Sequence, residues 1–160
     1  MRIARRTRAK LFVGVCGGAM TADALIDTGA ILALLDRTDR WHRICVDAFA
    51  QLRLPLVTSE AVLTELFHLV GDSRHEMESA WRLVRSGAIA LAAIDDPELP
   101  HLQALMSRYA DRPMDFADAT LVYLARREGL STIFTVDRAD FDTYRIEGRR
   151  RFRVLPAGRP

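Results

Sequence analysis

Ala24-Leu25-Ile26-Asp27-Thr28-Gly29 decides how this chain is read. An apolar triplet stops at an acid, and a hydroxyl residue and a glycine then open an apolar stretch that runs to Leu35. The triplet is predicted to be a first buried strand, and Thr28–Leu35 a short helix. The same alternation continues outward. Pro55-Leu56-Val57 reads as a second strand. Ser59 then caps a helix carrying Val62, Leu63, Leu66, Phe67 and Val70 on one face. Ile89–Ile94 is a third strand, Thr132–Val136 a β-branched and aromatic fourth ending at Asp137, and Phe152–Leu155 a last one. Helices are expected over Trp41–Leu52, Ser73–Ser86, from Pro97 to about Tyr109, and over Asp115–Glu128, where Gly129 closes the helix. Short apolar runs alternating with amphipathic helices predict an α/β fold with a parallel sheet.

The 160 residues suit one domain with a sizeable core. With 49% of them apolar and 28% charged, the balance is that of a globular chain, not a disordered one. No apolar run reaches the roughly 18 residues needed to span a bilayer, so no membrane role is expected, and the cysteine usage suits a cytoplasmic location. The formal charge of +2 rests on Arg2, Arg5, Arg6, Arg8 and Lys10; without those five charges the remainder carries −3. A near-neutral body gives no bulk signal for nucleic acid, so any such binding needs a local patch or a bound cation. Cys16 and Cys45 lack metal-ligand spacing and read as two reduced thiols.

Residues 1–19 stand apart. Met1–Lys10 is basic, Leu11–Val15 apolar, and Cys16–Ala19 small, which resembles a short secretory or lipoprotein leader. The apolar core is about five residues, against the ~7–15 such leaders carry. The segment is therefore read as a dispensable extension, with Met20 as an alternative first residue and residues 20–156 as the folded domain.

Asp27 and Asp137 each follow a buried apolar run, where parallel sheets place their ligands. Each also has a plainer reading, because Asp favours turns and helix starts. Asp115 and Asp118, three apart at a helix opening, share one face. An N-cap acid followed by one favoured by the helix dipole would look the same. Glu65 sits among Ala61-Val62-Leu63-Thr64 and Leu66-Phe67, and a glutamate buried there needs a partner. It could instead lie exposed with its stem on apolar neighbours.

In order along the chain, Ala24-Leu-Ile-Asp-Thr-Gly29, Thr58-Ser-Glu-Ala-Val-Leu-Thr-Glu65, Asp115-Phe-Ala-Asp-Ala119 and Phe134-Thr-Val-Asp-Arg-Ala-Asp-Phe141 resemble the four motifs of PIN domains. The chain looks closest to VapC-type toxins of toxin–antitoxin pairs. The resemblance implies a three-layer α/β/α fold with a central, mostly parallel sheet, and a ribonuclease dependent on Mg²⁺ or Mn²⁺. It maps Asp27, Glu65, Asp115 and Asp118 onto the acidic metal site, and Asp137 onto a further acid that joins it. It matches Thr28 and Thr135 to hydroxyls that orient acids or water, although capping and β-propensity explain them equally. Asp140 fits a helical surface charge. The implied partners are an RNA substrate, an antitoxin protein and a second copy of the chain in a homodimer.

The chemistry is coherent with those residue types. Carboxylates sharing a cleft raise one another's pKa unless a cation compensates, and an oxygen-only set suits a hard ion. His42, His68, His75 and His101 are scattered and offer no zinc site; His68, three residues after Glu65, fits a cleft rim. Arg145, Arg149, Arg150, Arg151 and Arg153 form a basic cluster that could grip RNA phosphates, face an acidic antitoxin tail, or simply be a solvated loop. The apolar faces of Ile31–Leu35 and Leu63–Val70 suit either core or a partner groove. Two other functions are compatible with parts of the pattern. One is an inactive PIN-like module that binds RNA or protein. The other is a phosphatase using Asp27 as nucleophile, but such enzymes carry a second Asp two residues on, where this chain has Gly29.

Overall fold

The computed structural model describes residues 22–112, 114–158 and 160, so the extension proposed for residues 1–19 lies outside the described residues. Among these residues five strands form the central sheet: β1 (Ala24–Ile26), β2 (Leu56–Thr58), β3 (Ile89–Leu91), β4 (Thr132–Phe134) and β5 (Arg153–Leu155). They lie in the order β3-β2-β1-β4-β5, and every pairing is parallel. Among the described residues seven α-helices flank the sheet: α1 (Thr28–Leu35), α2 (His42–Phe49), α3 (Glu60–Leu69), α4 (Arg74–Arg85), α5 (Leu99–Arg108), α6 (Phe116–Glu128) and α7 (Arg138–Thr143). This is the α/β/α architecture expected from the sequence.

Each strand has three residues, and β1 and β2 are buried along their whole length without polar alternation, because helices roof both faces of the sheet. Leu25, Ile26, Leu56, Val57, Ile133 and Phe134 are fully buried and interleave with Ile31, Leu66, Leu121 and Leu124 from the helices. Each such side chain contributes about 1.5–3 kcal/mol by leaving water. The apolar faces of α1 and α3 are largely spent here: Ile31, Ala33 and Leu66 are buried, and Leu32, Leu63 and Phe67 pack against them. Leu69, 55% exposed, is the part of those faces left in solvent.

Several boundaries differ from the expected ones for local reasons. Pro55 has no N–H to offer, so the β2 ladder opens with the Leu56 amide on the Ala88 carbonyl and runs on to Thr58, whose hydroxyl donates to Ile26 O. β3 ends at Leu91, not Ile94: it is an edge strand, and after the Ala92 amide meets Thr58 O the chain turns away. Helix α2 stops at Phe49 and not at Leu52, where residues 50–52 form turns. The short helix α7 was not separately foreseen. Cys45 is buried, and its thiol is pushed up to about 11 by that burial and then by the charge of Asp39, which leaves it unreactive.

The topology fixes where a ligand can go. From β1 the chain moves to one side, to β2 and β3, then crosses over to β4 and β5 on the other side. The crevice between the carboxyl ends of β1 and β4 is the point where strand order reverses, and open α/β sheets bind their ligands there.

Candidate active site

Asp27 stands on that crevice. Its amide donates to Phe134 O at 3.0 Å, tying the end of β1 to the end of β4. Its carboxylate accepts the Thr28 amide on Oδ1 and the Thr135 hydroxyl on Oδ2, each at 2.7 Å. The first bond makes Asp27 the N-cap of α1. The same Thr135 oxygen accepts the Asp137 amide at 2.9 Å. Thr28 adds the next link: its hydroxyl donates to Glu65 Oε2 at 2.7 Å, joining α1 to α3. From α6, Asp115 caps the helix by accepting the Asp118 amide at 2.7 Å. Asp118 Oδ2 in turn accepts the hydroxyl of Tyr144 at 2.9 Å.

Burial pushes the Asp27 carboxyl up to about 6; the bonds from Thr135 and Thr28 oppose this, and the charges of Glu65 and Asp115 add to it. Asp118 is pushed up to about 8, first by burial and then by Asp115 and Asp27, with the Tyr144 bond opposing. Four acids from β1, α3 and α6 thus share one electrostatic field. Among the described residues no three of them close tightly enough to enclose an ion with protein oxygens alone. An ion bound there would have to keep several waters, as hard divalent cations do. The donor set fits such an ion, being oxygen-only and strained by its own repulsion.

The structure separates the remaining sequence candidates. Asp137 is exposed, caps α7, and lines a hollow with Arg40 and Arg138, while its amide donates to the Thr135 oxygen that holds Asp27. Asp140, expected to be a plain surface charge, is half-buried and within the field of Asp118; its own carboxyl is raised by burial and then by Asp137. Of the basic cluster, Arg150 and Arg153 lie at the other end of the sheet. Arg153 opens β5 with its amide on Ser131 O, and the Arg150 guanidinium donates to Gly129 O at the C-terminus of α6. Asp115 caps the N-terminus of that 13-residue helix, about 20 Å away at 1.5 Å per residue. Arg145 donates to the carbonyls of Asp142, Thr143 and Tyr144, where it caps the turn after α7. Arg150 and Arg153 are therefore not brought to the acids, whereas Arg145 follows Tyr144, whose hydroxyl reaches Asp118.

His68 lines the cavity beside Glu65, whereas His42 is bonded to Ala33 O and His101 stacks on Tyr123. At Gly29 an added Cβ would stand 2.7 Å from Val136 Cγ2. A side chain there would displace Val136, so the place where a phosphatase would carry its second Asp has no room for one. Sequence reading missed Tyr144, which is fully buried and 26 positions from the acid it holds. It also missed Arg40, which lies in the hollow with Asp137. Neither carries a local signal, since each acquires its neighbour only through the sheet order.

A parallel sheet of this order with acids gathered at its switch point defines the class. The family model for the PIN domain matches residues 24–147, and the chain belongs to that family. Over 138 residues, 82% of this chain and 99% of the relative, it is 34% identical to Ribonuclease VapC26 of Mycobacterium tuberculosis. Its fold is also similar to the crystal structure of VapC20 from the same organism, described as a Sarcin-Ricin loop cleaving toxin. The TM-score is 0.65 at 20% identity, over 71% of this chain and 89% of that one. The resemblance carried by the four sequence motifs therefore holds.

Proposed function

We propose that this chain is a metal-dependent endoribonuclease and the toxin of a toxin–antitoxin pair. The observation that carries the reading is Asp27: a buried carboxylate held at the switch point by two hydrogen bonds, in the field of Glu65, Asp115 and Asp118. A charge arranged at such cost in burial is kept where a cation compensates it.

Asp27, Glu65, Asp115 and Asp118 would hold Mg²⁺ or Mn²⁺, which supplies a water of lowered pKa and neutralises charge developing on the phosphate. Thr28 and Thr135 orient the carboxylates by donating to Glu65 and Asp27. Tyr144 fixes Asp118 by the same means. Asp137, whose amide donates to the Thr135 oxygen, contributes further negative charge beside Asp27. The reaction is hydrolysis of an RNA phosphodiester to a 3′-hydroxyl and a 5′-phosphate. The partners are RNA, an antitoxin chain that silences the activity, and a second copy in a homodimer. Such a target and such a partner place the protein in the cytoplasm. No helix among the described residues is long and apolar enough to cross a membrane.

The test is cleavage of single-stranded RNA by purified protein in Mg²⁺, in Mn²⁺ and in chelator. Cleavage is expected in either metal, none in chelator, and none from Asp115→Asn. Undiminished cleavage in chelator, or by Asp115→Asn, would remove the metal site from the mechanism.

A further inference from the structure

A cavity of about 670 Å³ opens directly beside the acids, and Glu65 and Asp115 belong to its wall. That size lies within the range of roughly 300–1,000 Å³ typical of small-molecule sites. The other walls are largely apolar and include Phe116, Leu99, Ile94 and Ala117. Phe116 is 48% exposed and Leu99 44%, although neither belongs to a loop. Phe116 is the first residue of α6, so the cap that positions Asp115 also positions this ring.

The polar content of the cavity sorts its possible occupants. Among the described residues the lining has three carboxylates, Glu60, Glu65 and Asp115, and no lysine or arginine. A second phosphate would be repelled there. The hydroxyls at the floor are already used: Ser59 and Thr120 bond each other at 2.7 Å, and Thr120 also donates to Ala117 O. The interior therefore offers a flat neutral group apolar contact and an aromatic face, with His68 and Glu60 at the rim for its polar edge.

The wall is also braced. Glu98 accepts the Tyr123 hydroxyl at 2.8 Å and the Arg127 guanidinium at 2.9 Å, and Arg127 donates on to Ala93 O. These bonds clamp the segment bearing Ile94 and Leu99 onto α6. A cleft held open before its ligand arrives loses less in ordering on binding.

Resting on the ribonuclease reading, we infer that this cavity is a nucleobase subsite, in which a base next to the scissile phosphate stacks on Phe116. A phosphate at the acids leaves its flanking nucleoside at the mouth of the cavity, since Asp115 and Phe116 are consecutive. A base can enter only if it is unpaired, so the site selects RNA that is single-stranded or splayed at the cut.

The probe is the shortest single-stranded RNA that wild-type protein cleaves from a random-sequence library in Mn²⁺. It is compared with the same RNA annealed to its complement, and with versions made abasic on either side of the cut. Wild type is expected to cleave the single strand, to spare the duplex, and to lose preference for one abasic version. Phe116→Ala is expected to raise KM about tenfold, within the range for removal of one stacking ring. It should keep kcat and the melting temperature, and become indifferent to the abasic substitution; Phe116→Tyr should restore the wild-type KM. Wild-type cleavage with an unchanged KM in Phe116→Ala would overturn the subsite alone. So would an unchanged KM accompanied by a shift from dimer to monomer in sedimentation, which would make the ring a protein contact. Absence of any cleavage by wild type would instead bring down the ribonuclease reading and this one with it.

Discussion

Replacing Asp27 by Asn should stabilise the metal-free protein at pH 8 while destroying its activity. The carboxyl is pushed from 3.8 to about 6, two units, or roughly 3 kcal/mol at about 1.4 kcal/mol per unit. A raised acid pKa means the folded state binds the proton more tightly than the unfolded chain. The penalty for carrying charge is therefore absent below the unfolded value of 3.8 and complete once the pH has risen past about 6. Asn removes the charge but brings its own cost. Its one carbonyl oxygen can keep the Thr28 amide, and its amide group then faces Thr135, whose oxygen already accepts from Asp137. The loss of one such bond costs about 1 kcal/mol. The net gain at pH 8 is roughly 2 kcal/mol, a rise in melting temperature of about 4–8 °C for a chain of this size. At pH 4 the gain should vanish and the variant should be slightly the less stable. Calorimetry of both proteins at the two pH values, in chelator, measures this directly. Addition of Mn²⁺ at pH 8 should raise the wild type and leave the variant nearly unmoved, because only the wild type gains binding energy. A variant less stable than wild type by the same amount at pH 4 and pH 8 would refute the claim that Asp27 carries an uncompensated charge.

Tyr144→Phe removes the donor from Asp118 and leaves the ring in place. Since that bond opposes the rise of the Asp118 carboxyl, its loss should move the acid limb of the pH–rate profile to higher pH and raise the metal concentration needed for half-maximal rate; an unmoved limb would rule the tyrosine out as a positioning residue. Changing Arg149, Arg150 and Arg151 together to Ser should leave cleavage of a short RNA oligonucleotide within about twofold of wild type and leave the salt slope unaltered, because the cluster stands at the amino end of the sheet. A tenfold loss on the short substrate would mean that these side chains reach the acids after all.

The helix caps show how far local sequence reaches. Asp27, Ser59, Ser73, Asp115 and Asp137 all cap helices, and Gly129 closes α6 with φ of 73°. All of these interactions lie within three residues of the cap, so sequence spacing exposes them, except at Asp137, whose short helix α7 was not foreseen. The strand cores at Leu25, Val57, Ile89 and Ile133 are legible for a similar reason: a short apolar run between helices has few places to go but a covered sheet. Acid identity and order along the chain were enough to mark the family.

Distance and direction were decided by the sheet. Asp137 caps α7 and takes the Asp140 amide on its Oδ1, yet it is Asp140 whose charge acts on Asp118, a residue on a different helix. The arginines at 149–153 and the acids at 115 and 118 are close enough in sequence to suggest one surface. A parallel crossover nevertheless sends the chain to the opposite end of the sheet before β5 begins, so α6 separates them by its full length. Tyr144 meets Asp118, and Thr135 meets Asp27, because β4 is inserted beside β1. The sequence by itself determined the local elements and the kinds of group available for chemistry, because capping and periodicity act over a few residues. Only the tertiary structure decided which carboxylates share a field and which cations stand apart, because strand order is a long-range outcome of packing.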